Sequence, residues 1–295
     1  MKFVLVLLLA ALSLPSCTPF RAPPPAILLR PPPSLSPPPL SSFFPDTTVP
    51  HLLSSSLSSA PPPATLSAAF LLLSPPLLRS LTPAGLLAAY LLSLSLLSLS
   101  PAALLLGVFY FAAGVAATRL GWARKAARGI QESKERGGRR GPENVLGSGG
   151  VAVLLCGLAR LLPARKYLLT LGVAASFATK LGDTCASEIG KAYGSTTFLI
   201  TTLARVPRGT EGAVSLEGTL GGVAGSAAMT YLAFSLGLVS SRAHLALVLA
   251  AAVAAQFAES YIGARWQRGW LTNELVNFIM CAIGAAITVG GALLL

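Results

Sequence analysis

From residue 63 to residue 295 the chain is a succession of apolar segments separated by short charged stretches. A helix that crosses the hydrocarbon layer needs about 20 consecutive apolar residues. The apolar runs predict helices at 64–79, 83–98, 101–119, 148–163, 167–185, 213–238, 243–263 and 274–295. The first three are short and bounded by proline, so two of them are expected to form one broken helix or a re-entrant pair. The expected fold is all-α: a polytopic transmembrane helical bundle of about six or seven spans. Composition agrees, with 11% charged residues against about 25% in a soluble domain. Small residues repeat at helical spacing, with Gly218, Gly222 and Ser226 on one face and Ala282, Ala286 and Gly290 on another. Both ladders are read as tight helix contacts. The alternative, a phosphate cradle over residues 218–225, lacks the Lys-Ser/Thr pair that completes a P-loop.

Residues 1–62 differ in kind. Proline occurs 16 times up to Pro63 and 7 times after it, and Ser and Leu supply most of the remainder. No helical or strand period runs through the stretch, which is read as a disordered targeting leader preceding a membrane domain at 63–295. Lys2 followed by the apolar residues 4–11 has the form of a secretory signal, and residues 14–17 faintly resemble a lipoprotein cleavage site. The long, acid-poor, Ser-rich continuation fits an organelle transit peptide better. Composition leaves these near even.

The net charge is +12. Its basic residues cluster beside apolar segments, and no base-reading motif or interleaved aromatic set accompanies them, so nucleic acid is not an expected partner. When the last five segments are threaded alternately through a bilayer, the stretches 119–147, 186–212 and 264–273 fall on one side with 13 basic residues, against 4 on the other. The basic side faces the cytosol, or the stroma or matrix of an organelle. Acids gather there too: Asp183 and Glu188 close one segment, Glu211 and Glu217 open the next, Glu259 ends a third and Glu274 begins a fourth.

A carboxylate beside lipid is costly and is seldom there without a metal, an ion path or a paired cation. Any one of these charges is most simply a solvated helix end. Their convergence, in a chain with only ten acids, asks for more. Carboxylates hold hard cations, and Mg²⁺ takes one or two of them together with substrate phosphates. Lys191, Arg205 and Arg208, and the pair Arg139 and Arg140, suit phosphate oxygens. Asn273 and Asn277, four residues apart, share a helix face as interhelical glue or as ligands. Cys17, Cys156, Cys185 and Cys281 form no CxxC pair, and His51 and His244 stand apart from every candidate ligand. This is the layout expected for phosphoryl transfer to a lipid-borne acceptor, where catalysis is mainly positioning and charge neutralisation.

The series GDTCASEIGKAYG (182–194), VPRGTEGAVSLEGTLGG (206–222), AESYIGARWQ (258–267) and LTNELVNFI (271–279), with the basic run ending in GRR at Arg140, resembles the integral membrane family of domain of unknown function 92, also described as transmembrane protein 19-like. The resemblance covers residues 80–295, and four motifs in order make it specific. Its plant members are similar to a plastid phytyl-phosphate kinase. The resemblance therefore implies transfer of a phosphoryl group from a nucleoside triphosphate, CTP by likeness to polyprenol kinases, to phytyl phosphate or a similar prenyl phosphate. The product would be phytyl diphosphate for tocopherol (vitamin E) synthesis. It also implies a multi-pass protein of a chloroplast membrane and favours the transit-peptide reading. Carried onto this chain, Asp183 and Glu188 form the catalytic acidic centre and bind Mg²⁺ with Glu259. Lys191, Arg205, Arg208, Glu211, Arg139, Arg140, Asn273 and Asn277 form the substrate site. Three departures stand out: the leader begins with an apolar run, Glu274 occupies a position where aspartate is common, and the first spans are shorter and more broken by proline than the resemblance implies. Two alternatives share these features, a kinase for another prenyl alcohol or phosphate and a carrier for an ion or phosphorylated metabolite. The absence of an internal repeat and the one-sided clustering of charge favour an enzyme.

Overall fold

The computed structural model describes residues 80–130, 139–267 and 271–295. The expected leader at 1–62 and the expected first helix at 64–79 lie outside the described residues. Within them the chain is mostly helical, with turns and loops between the helices and one two-stranded hairpin. The elements in order are α1 (Pro83–Leu99), α2 (Pro101–Arg119), α3 (Trp122–Ala127), α4 (Pro142–Leu161), α5 (Lys166–Tyr193), β1 (Phe198–Leu199), β2 (Ala213–Val214), α6 (Leu216–Ser235), α7 (Arg242–Trp266) and α8 (Asn273–Ala292). Among the described residues, α2, α4, α7 and α8 are long and apolar enough to cross a membrane, and α1 is a shorter apolar helix. With α5 and α6 the bundle holds seven helices of 17 residues or more, compatible with six or seven spans.

Local chemistry sets the boundaries. Thr82 accepts a hydrogen bond from the Gly85 amide at 3.0 Å, with Pro83 in the first turn of α1. Ser100 ends α1 and caps α2 by accepting from the Ala103 amide at 3.1 Å. Pro101 follows, whose missing N–H costs nothing in a first turn. The proline-bounded segments are thus two helices broken at a single residue. Ser215, Ser241 and Thr272 cap α6, α7 and α8 in the same way, each supplying an acceptor to a helix-end amide.

Helix α5 is the centre of the bundle. Residues 169–182 are buried without interruption, and α2, α4, α6, α7 and α8 all pack on it. It is also longer than the apolar pattern predicts. The expected end at residue 185 is overrun to Tyr193, so Asp183 and Glu188 lie inside a helix and not at its close. The polar run GDTCASEIGKAY lacks apolar periodicity, but it contains no proline, and Gly190 within it is tolerated, so the helix continues to Tyr193.

Closest approach is between α5 and α6. A methyl group placed on Gly225 would lie 2.8 Å from Cys185 Sγ, and one on Gly218 would lie 2.8 Å from the Ala186 carbonyl oxygen. Ser226 Oγ donates to the Ala178 carbonyl at 3.0 Å and accepts from Gln256 Nε2 at 2.9 Å, which ties α5, α6 and α7 at one level. The α6 ladder is therefore a packing face, as its spacing predicts. The α8 ladder is not: Ala286 and Gly290 are exposed, and nothing lies near Gly290. The buried face of α8 is carried by Cys281, Gly284, Ala285 and Thr288. Spacing identifies a stripe of small residues but not which stripe meets protein and which meets lipid.

Substituting Gly225→Leu should force α5 and α6 apart and lower stability by at least the about 1–3 kcal/mol typical of overpacking. Gly290→Leu should leave the melting temperature unchanged. Thermal unfolding of the two detergent-solubilised variants checks the contrast.

Candidate functional site

A cavity of about 750 Å³ opens at one end of the bundle. The last turns of α2, α5 and α7 meet there with the first turns of α4, α6 and α8, together with the 209–215 segment. Seven candidates line it besides Asp183 and Glu188: Arg139, Arg140, Lys191, Glu211, Glu259, Asn273 and Asn277. Arg205 and Arg208 do not. Arg205 is exposed, and Arg208 is half-buried next to Gly209, which does line the cavity. The loop that carries them folds as a hairpin, with Phe198 opposite Val214 and Leu199 opposite Ala213. Gly209 and Gly212 make its turns at φ +82° and +73°, a backbone region that suits glycine.

Two buried lysines organise the acids, and neither was expected at the site. Lys180, on α5, donates to Asp183 Oδ2 at 2.6 Å and to Asn277 Oδ1 of α8 at 3.0 Å. Lys125, on α3, pairs with Glu188, and the two side chains are 1% and 3% exposed. Lys125 Nζ also donates to the Thr118 carbonyl at 2.7 Å. Asp183 and Glu188 are thus each matched by an ammonium group from within the fold. Lys180 had a local sign: three residues before Asp183, it can reach that carboxylate on one helix face. Lys125 had none, being one of several basic residues in a stretch that composition reads as a solvated loop.

Other partners hold the rim. The Arg140 backbone is fixed before α1, its amide donating to the Ser80 carbonyl at 2.9 Å and its carbonyl accepting from Thr82 N at 3.0 Å. Its guanidinium Nη2 donates to Thr118 Oγ1 at 3.1 Å. Asn144 Nδ2 donates to Glu274 Oε1 at 3.0 Å, joining α4 to α8. Asn273 accepts from Gln267 Nε2 at 3.3 Å. The Asn273–Asn277 pair therefore divides: Asn277 braces the inner lysine, and Asn273 sits at the exposed end. Glu217 lies off the cavity wall and accepts from the Ser195 amide at 2.9 Å.

Among the described residues, no three His, Cys, Asp or Glu side chains converge as a ready-made metal cage. The donor set nevertheless fits Mg²⁺, which needs one or two carboxylates and leaves its other positions to water and phosphate oxygens. Asp183, Glu188 and Glu259 all line the cavity that could hold such an ion with its substrate.

Fold and site together define a polytopic helical membrane protein with a mixed-charge cavity at one end of its bundle. The chain belongs to the integral membrane protein family DUF92, whose pattern matches residues 66–285. It is 52% identical over 185 residues to an uncharacterized membrane protein of Synechocystis, covering 61% of this chain and 70% of the relative. It is 41% identical over 225 residues to "Protein VTE6, chloroplastic" of Arabidopsis thaliana, covering 73% of this chain and 66% of the relative. An uncharacterized membrane protein of the archaeal species Methanocaldococcus jannaschii is 34% identical over 192 residues, covering 63% and 74%. No solved structure matches.

Removing one partner of a buried ion pair strands the other and costs about 3–5 kcal/mol, whereas replacing both with apolar groups is often neutral. Glu188→Leu alone should therefore lower the melting temperature sharply, and Lys125→Met combined with Glu188→Leu should recover most of the loss. Unfolding curves of the two variants in detergent measure the difference.

Proposed function

We propose that the protein is a membrane kinase that transfers a phosphoryl group from a nucleoside triphosphate, CTP in the first instance, to phytyl phosphate, giving phytyl diphosphate for tocopherol synthesis. The observation that carries this reading is the cavity itself, where Asp183, Glu188, Glu211 and Glu259 meet Lys180, Lys191, Arg139 and Arg140. The resemblance of the four motifs to plant phytyl-phosphate kinases supports it, as does the identity to chloroplastic VTE6. That relative also supports a chloroplast membrane as the location.

The reaction breaks the bond between the donor's terminal phosphorus and its bridging oxygen, and it forms a bond from an acceptor phosphate oxygen to that phosphorus. A monophosphate acceptor has its second pKa near 6 and is largely dianionic at neutral pH, so it needs no general base. The difficulty is repulsion between two anions. Arg139, Arg140 and Lys191 line the cavity in reach of phosphate oxygens, and arginine meets them with a two-pronged fork. Arg205 and Arg208, outside the cavity wall, would serve the nucleotide only through movement of their hairpin. Asp183, Glu188 and Glu259 would hold Mg²⁺, which when bound neutralises charge on the donor's phosphates. Lys180 and Asn277 fix the Asp183 carboxylate at its place on the wall.

Purified protein in nanodiscs, supplied with Mg²⁺, each of four nucleoside triphosphates and a panel of prenyl monophosphates, should form phytyl diphosphate. Asp183→Asn, which keeps an acceptor for Lys180, should abolish that product when activity is counted per folded protein. A preparation that consumes no nucleotide with any prenyl acceptor would overturn the reading. Preference for another chain length would move the substrate but keep the chemistry.

A further inference from the structure

Part of the cavity wall is also exposed on the outside of the bundle. Two residues of its lining, Val223 on α6 and Phe257 on α7, are also exposed on the side of the bundle, at 36% and 42%. Val253, one turn from Phe257, lines the cavity with them. These apolar groups, which line the cavity and are exposed outside it, mark where a side opening between α6 and α7 would fall.

Depth places that opening in hydrocarbon. Tyr261 and Trp266 are exposed on α7, with ring centroids 6.4 Å apart and an edge-on packing. Exposed Tyr and Trp mark the level of the membrane interface. Phe257 lies one turn, about 6 Å, below Tyr261 along the helix, and Val253 about 12 Å below it. The opening has a firm inner stop as well. Gln256 reaches across to Ser226, and a methyl group on Gly222 would lie 2.5 Å from Gln256 Oε1, so α6 and α7 are pinned together there.

Polarity therefore changes along one short path. It begins among Lys180, Asp183 and Glu259, passes Thr219, Gln256 and Ser260, and leaves between Val223 and Phe257. A soluble ligand has no use for an apolar exit, and a neutral lipid has none for the buried lysine. We infer that this path is a lateral slot for a phosphorylated lipid with a single flexible chain, whose phosphate sits toward Lys180 and whose chain leaves between α6 and α7. The inference rests on the kinase reading for the identity of the acceptor, but the slot is a binding site in its own right.

Its test needs no nucleotide. A prenyl monophosphate bearing a photoactivatable diazirine in its second isoprene unit is added to the protein in nanodiscs, and crosslinked peptides are mapped by mass spectrometry. Adducts should fall on residues 219–226 and 253–261. Val253→Trp, which plugs the path, should cut their yield at least tenfold, while Leu154→Trp on the exposed face of α4 should not change it. The matching prenol without phosphate should label at least tenfold less. Adducts confined to other helices, equal labelling by the prenol, or undiminished labelling in a folded Val253→Trp protein would each overturn the slot. Labelling as expected without any phosphoryl transfer would establish the slot and remove the kinase.

Discussion

A bilayer offers no water to a charge placed within it, so the charges of the central helix must be answered by other parts of the same chain. Lys180 stands 14 residues beyond Lys166, the first residue of α5. At 1.5 Å per residue that is about 21 Å along the axis, within a hydrocarbon layer about 30 Å thick. Asp183 answers it from the next turn, and Asn277 from α8. Glu188, farther along, is answered by Lys125 from α3. Desolvating such ions costs several kcal/mol each, and apolar replacements of whole pairs are often no worse for stability. Stability therefore does not explain why these pairs are present. Asp183 and Glu188 both line the cavity, which fits the role proposed for them.

Holding a charged helix at the centre of a bundle demands close neighbours without bulk. The glycine face of α6 provides this, since added methyl groups at Gly218, Gly222 or Gly225 would collide with α5. In lipid the contact gains little from expelling water, so tight packing and interhelical hydrogen bonds carry association. Ser226 supplies both, being wholly buried and bonded to α5 and α7 at once. The same residues that let α5 sit deep also fix the wall of the site.

Much of this was legible in the chain, and the illegible part has a common cause. Apolar runs with their bounding prolines marked most helices, because these are local signals. The gathering of charge at one end followed from alternating the spans, which is topology and requires no packing detail. Lys125 escaped because its partner is 63 residues away. Helix α5 was drawn short because its last turns are polar. Their burial depends on α3, α6 and the hairpin, which sequence periodicity does not see. Ala282, Ala286 and Gly290 have the spacing of a contact face, but only Ala282 packs on the core while Ala286 and Gly290 are exposed, and only the assembled bundle shows this. Arg205 and Arg208 were grouped with the phosphate ligands by type and motif. The turns at Gly209 and Gly212 decide instead that the following segment, not the arginines, forms the wall.

The length of α5 bears on where chemistry could take place. Its 28 residues extend about 42 Å, roughly 12 Å more than the hydrocarbon layer. The excess is at the end that holds Glu188 and Lys191. A helix that stopped at the membrane boundary would leave Asp183 as its last polar group and would present no cation beyond it. By continuing two turns further, α5 carries Glu188 and Lys191 past that length, to the end of the cavity where the proposed nucleotide would enter. Its lower turns pack on α6 and α7, which bear the proposed slot. One rigid element thus has the length to join the two solvents in which the proposed water-soluble donor and membrane-borne acceptor would lie.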